Sequence, residues 1–232
     1  MNSASNVKAV VIVLHGINSH SGRNNKFMVE VLEHGFLVAG IDHEGMGRSD
    51  GRHGYFSSVH TLVDDAIAFI DLVKAKYSQK KIFLLGSSLG GLIILHALSK
   101  GGPKLVDGAI ILCPATEIHE ASRPSHLIET IGRLLHEYTP KLPLVTANRG
   151  KNSSPEVAAF VDADKQADPP HGTADRTCRV TGSAALHLKT RSVDKTFKTY
   201  EGGHHDLASE PPHIRDAVVR DFVVWLEDHS KL

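Results

Sequence analysis

Ser88 sits in Gly86-Ser87-Ser88-Leu89-Gly90, a G-x-S-x-G spacing. Before it runs Lys81-Ile82-Phe83-Leu84-Leu85, apolar and of strand length. After it runs Gly91-Leu92-Ile93-Ile94-Leu95-His96-Ala97-Leu98, which has helical character. Strand, tight Gly-flanked turn and helix make a nucleophile elbow, and the helix aims its free N–H groups and positive dipole end at the serine. A serine hydroxyl is a poor nucleophile at neutral pH; it needs a base, and the base needs an orienting group. Two adjacent histidines lie in Glu201-Gly202-Gly203-His204-His205-Asp206-Leu207. His205 is the expected general base and His204 its competitor. Asp175, in His171-Gly172-Thr173-Ala174-Asp175, is the expected acid, ahead of Asp164 and Asp168 in a polar linker. By pattern alone Asp175 is also a cap or turn residue. Acyl transfer further needs N–H donors for a developing oxyanion. Leu89, after the nucleophile, and Ile17, in His15-Gly16-Ile17, are the candidates; an ordinary turn is the other reading of His15-Gly16.

These residues need a scaffold that holds them together. Lys8 to Leu14 is a β-branched run that reads as a strand buried on both faces. Arg23 to His34 reads as a helix, Phe36 to Asp42 as a strand, and Val59 to Tyr77 as an amphipathic helix with Leu62, Ala66, Phe69, Ile70 and Val73 on one face. The elbow strand and helix follow, then a strand at Gly108 to Leu112. Such alternation predicts right-handed crossovers and a parallel sheet with helices on both sides. Prolines are absent from the first hundred residues and gather after Pro103. The region from 114 to 170 reads as a reduced cap inserted into a single domain spanning 1–232. It holds a helix from about Pro124 to Tyr138, striped by Leu127, Ile128, Ile131, Leu134 and Leu135, and a short helix near Pro155 to Val161. Leu127 and Ile131 are the expected wall for an acyl chain. A helix near Gly182 to Thr190, a strand Lys195 to Tyr200 and a closing helix from about Pro212 to His229 complete the reading.

Lys and Arg balance Asp and Glu at 26 each, which gives no electrostatic reason to expect nucleic acid or an anionic membrane. Lys74, Lys76, Lys80 and Lys81 read as a solvated helix end. Neither Cys113 nor Cys178 falls in a zinc spacing, and no H-E-x-x-H occurs among the 16 histidines. No metal and no cofactor are expected. Met1 to Asn6 is polar, and the apolar runs are too short to span a bilayer. A cytoplasmic protein is expected, with the cap as its contact to a membrane surface.

The chain resembles the monoacylglycerol lipase and lysophospholipase branch of the α/β-hydrolases. The resemblance rests on Leu14-His15-Gly16 with His20-Ser21-Gly22-Arg23, on Asp42 to Gly51, on Leu84 to Gly91, on His171 to Asp175 and on Tyr200 to His205. It covers residues from about 8 to 113 and from about 171 to 228. It implies the α/β-hydrolase fold and a serine hydrolase of acyl esters, using Ser88, Asp175 and His205 without a cofactor. Similar plant proteins hydrolyse phenolic esters. Met46 takes a position where the family usually has histidine, and the family's first antiparallel strands are not evident.

A larger departure precedes His171. A buried strand belongs there, yet Asp162 to Pro170 is polar and ends in a double proline, which a central strand does not accept. The chain reads as a family member without one internal segment. Two further readings therefore stand beside an ester hydrolase acting on a small acyl ester. One is a hydrolase scaffold without catalysis; the other is acyl transfer to an acceptor other than water.

Overall fold

The computed structural model describes residues 7–23, 25–126, 128, 130, 171–172, 175–190, 192 and 194–231. Four strands, β1 (Val10–Leu14), β2 (Leu37–Ile41), β3 (Ile82–Ser87) and β4 (Gly108–Leu112), pair in the order β2-β1-β3-β4, all parallel. Side chains alternate across a strand, so a strand in the middle of the sheet must be apolar at every position. In β1, Val10, Ile12 and Leu14 face one core with Ile82 and Leu84 of β3. Val11 faces the opposite core with Phe83 and Leu85.

Helices cover both faces. The first core is closed by α2 (Val59–Lys76) and α3 (Leu89–Gly101), through Leu62, Ala66, Ile70, Ile93 and Ile94. The second is closed by α1 (Asn25–Glu33) and by α5 (Pro212–Ser230), the last helix, through Phe27, Val31, Val218, Phe222 and Leu226. Ser58 caps α2 by accepting from the Thr61 N–H at 3.1 Å. Phe69 of the expected α2 stripe is partly buried against the first core, and Met46, 2% exposed, is part of it. The lysines near the end of α2 bind carbonyls: Lys74 donates to Lys104 and Leu105, Lys80 to Val7, and Lys81 to His229 and Lys231.

Two short strands, β5 (His171–Gly172) and β6 (His204–His205), pair antiparallel, with His171 opposite His205. Between them lies α4 (Val180–Lys189). Lys195 to Tyr200, expected as the last sheet strand, is not a strand: residues 195–199 are exposed and have no ladder partner among the described residues. A strand exists only through a neighbour's backbone, and among the described residues β4 pairs on one side only, with β3. Every residue of β4 is accordingly half-buried. The expected helix at 124–138 is described only at 126, 128 and 130, which are helical. Leu127, Ile131, the short helix at 155–161 and the polar stretch 162–170 lie outside the described residues.

Candidate active site

Ser88 follows β3 directly and precedes the first residue of α3, with φ 54° and ψ −115°. This left-handed conformation is uncommon for a residue with a Cβ and marks a strained turn. Its backbone is held on both sides: its N–H donates to Leu112 O at 3.0 Å, and its carbonyl accepts from Leu92 and Ala115 N–H at 3.1 Å. The flanking glycines are required by close approach. A Cβ on Gly90 would lie 1.9 Å from Leu14 O, and one on Gly86 would lie 2.6 Å from the Gly90 backbone. Gly90→Ala is therefore expected to force β1 and α3 apart. A cost above about 3 kcal/mol, seen as a fall of roughly 6–12 °C in the unfolding midpoint, is the measurable outcome.

Asp175 and His205, far apart in sequence, meet through the β5–β6 pairing. His205 Nδ1 lies 2.7 Å from Asp175 Oδ2, and both side chains are buried. A carboxylate only accepts, so Nδ1 carries the proton and Nε2 keeps its lone pair. Asp175 Oδ1 meanwhile accepts from the Thr177 and Cys178 N–H groups at 2.7 and 2.9 Å. The turn role weighed for Asp175 and its contact with the histidine are thus both present, one on each oxygen. His204 turns to a different partner: its N–H and its Nδ1 lie 3.0 and 3.2 Å from Glu210 Oε1.

Cys178 links the acid to the serine, since its N–H binds Asp175 while its thiol hydrogen-bonds Ser88. Burial first, then the Asp175 charge, push that thiol up to about 12, so it stays neutral. Sequence reasoning missed Cys178; its spacing three residues after Asp175, on the turn the carboxylate closes, was the available signal. Gly16 lies against the serine, for a Cβ there would meet Ser88 Cβ at 3.4 Å. This sets the loop carrying Ile17 beside Ser88, with the Ile17 residue half exposed. Leu89, buried, opens α3.

Two buried imidazoles fasten that loop, and they too escaped the sequence reading. His15 Nδ1 donates to Gly16 O at 2.7 Å, and its Nε2 accepts from His43 N–H at 3.0 Å. His43 Nε2 donates to His15 O at 3.1 Å. Each ring is thereby in a defined neutral tautomer. Burial lowers His15 to about 4, against a smaller opposing pull from its bond to Gly16. Burial and the neighbouring His15 lower His43 to about 3. Both rings protonate in the unfolded chain near their ordinary value of 6.5. Folding stability is therefore intact above that pH and is lost as pH falls toward 4, on the order of 4 kcal/mol by pH 5. Unfolding midpoints at pH 7 and pH 5 measure it. His43→Gln, which can still donate to His15 O, is expected to remove about half of the difference.

A cavity next to the His15–Gly16 turn is lined by His15, Gly16, Ser19, Ser87, Arg23 and Asp206, together with apolar side chains such as Phe27 and Leu85. The buried Arg23 guanidinium has its Nε 3.8 Å from Asp206 Oδ2. Its two terminal nitrogens are buried without a hydrogen-bond partner among the described residues. The base of the region after β4 closes nearby: Ile118 bridges Cys178, and the His119 and Arg179 N–H groups donate to Thr177 O and Glu117 O at 2.8 and 2.9 Å.

A family model described as serine aminopeptidase, S33, matches residues 5–169. The chain belongs to that family. This S33 chain is 27% identical to the monoglyceride lipase of Homo sapiens over 256 aligned residues, covering 96% of this chain and 84% of the relative. It is 26% identical to the caffeoylshikimate esterase of Arabidopsis thaliana over 264 residues, covering 97% and 79%. Both alignments are longer than the 232-residue chain, so each relative carries residues with no counterpart here. Among solved structures, a soluble variant of the Saccharomyces cerevisiae monoglyceride lipase with a substrate analogue superposes with a TM-score of 0.84. It is 21% identical and covers 100% of this chain and 90% of that one. The monoacylglycerol lipase of Paleococcus ferrophilus gives a TM-score of 0.77 at 24% identity, covering 95% and 94%. The fold is that of the α/β-hydrolases, and the S33 chain is a serine hydrolase of the esterase and lipase kind. Among the described residues, no helix is long and apolar enough to cross a membrane.

Proposed function

We propose that Ser88, His205 and Asp175 cleave carboxylic esters of the monoacylglycerol type through an acyl-enzyme. The observations that carry this are the 2.7 Å contact of His205 Nδ1 with buried Asp175 Oδ2 and a serine held at positive φ in the turn after β3. His205 Nε2 takes the proton as Ser88 Oγ attacks the ester carbonyl. Asp175 stabilises the imidazolium that results. The Leu89 and Ile17 N–H groups receive the oxyanion. His205 returns the proton to the leaving alcohol, and water then releases the acid by the same steps in reverse.

Three features favour a lipid ester over an amino-terminal amide. Relatives named monoglyceride lipases align along almost the whole chain. Arg23 adds buried donors, suited to alcohol oxygens, to the cavity next to the His15–Gly16 turn. Among the described residues, the carboxylates named at the site, Asp175, Asp206 and Glu210, each already bind a group of the protein, which does not favour a substrate ammonium. We propose that 114–170 acts as a cap, with the Ile118–Cys178 bridge at its described base and Leu127 and Ile131 as residues that bind the acyl chain.

The test is a fluorophosphonate probe on the purified protein, followed by monoacylglycerols, p-nitrophenyl esters and an aminoacyl p-nitroanilide. Labelling and ester turnover are expected, with the anilide inert. His205→Ala is expected to abolish labelling and His204→Ala to keep it. An unlabelled protein overturns the reading in favour of a scaffold. Turnover of the anilide overturns the substrate class.

A further inference from the structure

We propose that Cys113, Asp175 and His205 form an inhibitory binding site for a thiophilic divalent cation, Zn²⁺ in the first instance. One ligand atom from each, the thiol sulfur, a carboxylate oxygen and a ring nitrogen, lie within 4.8 Å of one another. No spacing in the sequence announces this set. Cys113 stands at the end of β4, Asp175 after β5 and His205 in β6, and the fold alone brings them together. Cys113 is held there at φ 41°, a left-handed conformation uncommon for a residue with a Cβ.

Thiolate, imidazole and carboxylate are the ligand types zinc takes, at about 2.3, 2.0 and 2.1 Å. In a tetrahedral site those bonds set ligand atoms roughly 3.4–3.6 Å apart. Converting the cluster into a three-ligand site, with water in the fourth position, takes shifts of roughly 1 Å, and where Nδ1 is the ring ligand its 2.7 Å contact with Asp175 Oδ2 must open.

The surroundings favour a cation. The carboxylates of Asp175, Asp206 and Glu210 all act on the Cys113 thiol. Burial first, and then these charges, push it up, so the sulfur is a neutral thiol when nothing is bound. A divalent cation reverses that balance, because it bonds the thiolate and offsets the carboxylate field. Binding releases the thiol proton to solvent, one per ion, with no change in oxidation state.

The consequence for the proposed chemistry does not depend on which ring nitrogen is used. Metal on Nδ1 replaces the hydrogen bond to Asp175; metal on Nε2 occupies the lone pair that takes the serine proton. The effect on turnover rests on the reading of His205 as base, whereas binding does not.

The experiment therefore measures both. Co²⁺ titration follows the thiolate-to-metal charge-transfer band, which surface histidines do not give, and Zn²⁺ competition displaces it. In parallel, Zn²⁺ inhibition of p-nitrophenyl ester turnover is measured. The expected result is one thiolate-bound ion per chain, displaced stoichiometrically by zinc. Cys113→Ser loses the band and raises the inhibitory zinc concentration at least tenfold relative to its own metal-free rate, while Cys178→Ser keeps the band. Asp175→Asn, removing a second ligand, weakens binding by the same titration and serves if the Cys113 variant does not fold. No band in the parent, or a band that persists in Cys113→Ser, overturns the site. A band without zinc inhibition leaves the metal site standing and overturns the role of His205.

Discussion

Ser88→Ala is expected to lower kcat on a p-nitrophenyl ester by about 10⁶-fold, the size of loss seen when a serine nucleophile is removed from a working triad. The fold should be unaffected. Alanine keeps the Cβ, so the φ 54° turn is no more strained, and the backbone bonds to Leu112, Leu92 and Ala115 do not involve the hydroxyl. The substitution does remove the hydrogen bond between the hydroxyl and the Cys178 thiol, a neutral bond of about 1 kcal/mol. An unfolding midpoint within a few degrees of the parent is the control. A Ser88→Ala protein that retains a tenth of the parent rate rules out the nucleophile, whatever the midpoint shows.

Asp175→Asn is expected to cost about 10⁴-fold in kcat, because an amide changes which tautomer the histidine holds. The geometry sharpens this. Asp175 uses Oδ1 for the Thr177 and Cys178 N–H groups and Oδ2 for His205. Asparagine has a single oxygen. If it keeps the turn, its NH₂ faces His205 Nδ1 and forces the proton to Nε2, where a base cannot use it. If it turns to accept from Nδ1, two buried N–H groups lose their acceptor, at about 1–3 kcal/mol each. Rate and stability therefore trade in the asparagine variant. Asp175→Ala loses both and should show the rate defect together with a midpoint lowered by several degrees. Asparagine and alanine variants that both keep the parent kcat would falsify the role of Asp175. A midpoint that does not move in the alanine variant removes the turn role instead.

The pairing of β5 with β6 also bears on the internal segment that the sequence leads us to expect before His171. In a complete parallel sheet, a buried strand would deliver Asp175 to the edge. Here a two-residue antiparallel contact, His171 with His205 and Gly172 with His204, does so. Such a contact is short, and β4 keeps one edge unpaired among the described residues. A restored apolar strand before His171 is expected to raise soluble yield and the unfolding midpoint, by covering that edge. Equal values with and without it would mean that the short chain is already complete.

The sequence determined what local chemistry determines. β1 and β3 were legible because a strand buried on both faces must be apolar throughout, β4 because it is an unbroken apolar run although it ends half-buried, and α2 because its stripe repeats at the helical period. The elbow was legible because only glycine fits where Gly86 and Gly90 meet backbone at 2.6 and 1.9 Å. Asp175 and His205 could be nominated from order and spacing, since each sits in a short loop with its own pattern. What the sequence could not decide depended on partners distant in the chain. Lys195 to Tyr200 has the composition of a strand, but a strand needs a neighbour's backbone, and none of the described residues supplies one. The sequence could not show that His205 meets Asp175 while His204 meets Glu210. The His15–His43 pair, the Cys178 thiol beside Ser88 and the Cys113 thiol beside the acid and base are all residues of ordinary local type. Tertiary structure alone sets their contacts, because these depend on distances of a few ångströms between groups that the sequence separates by tens of residues.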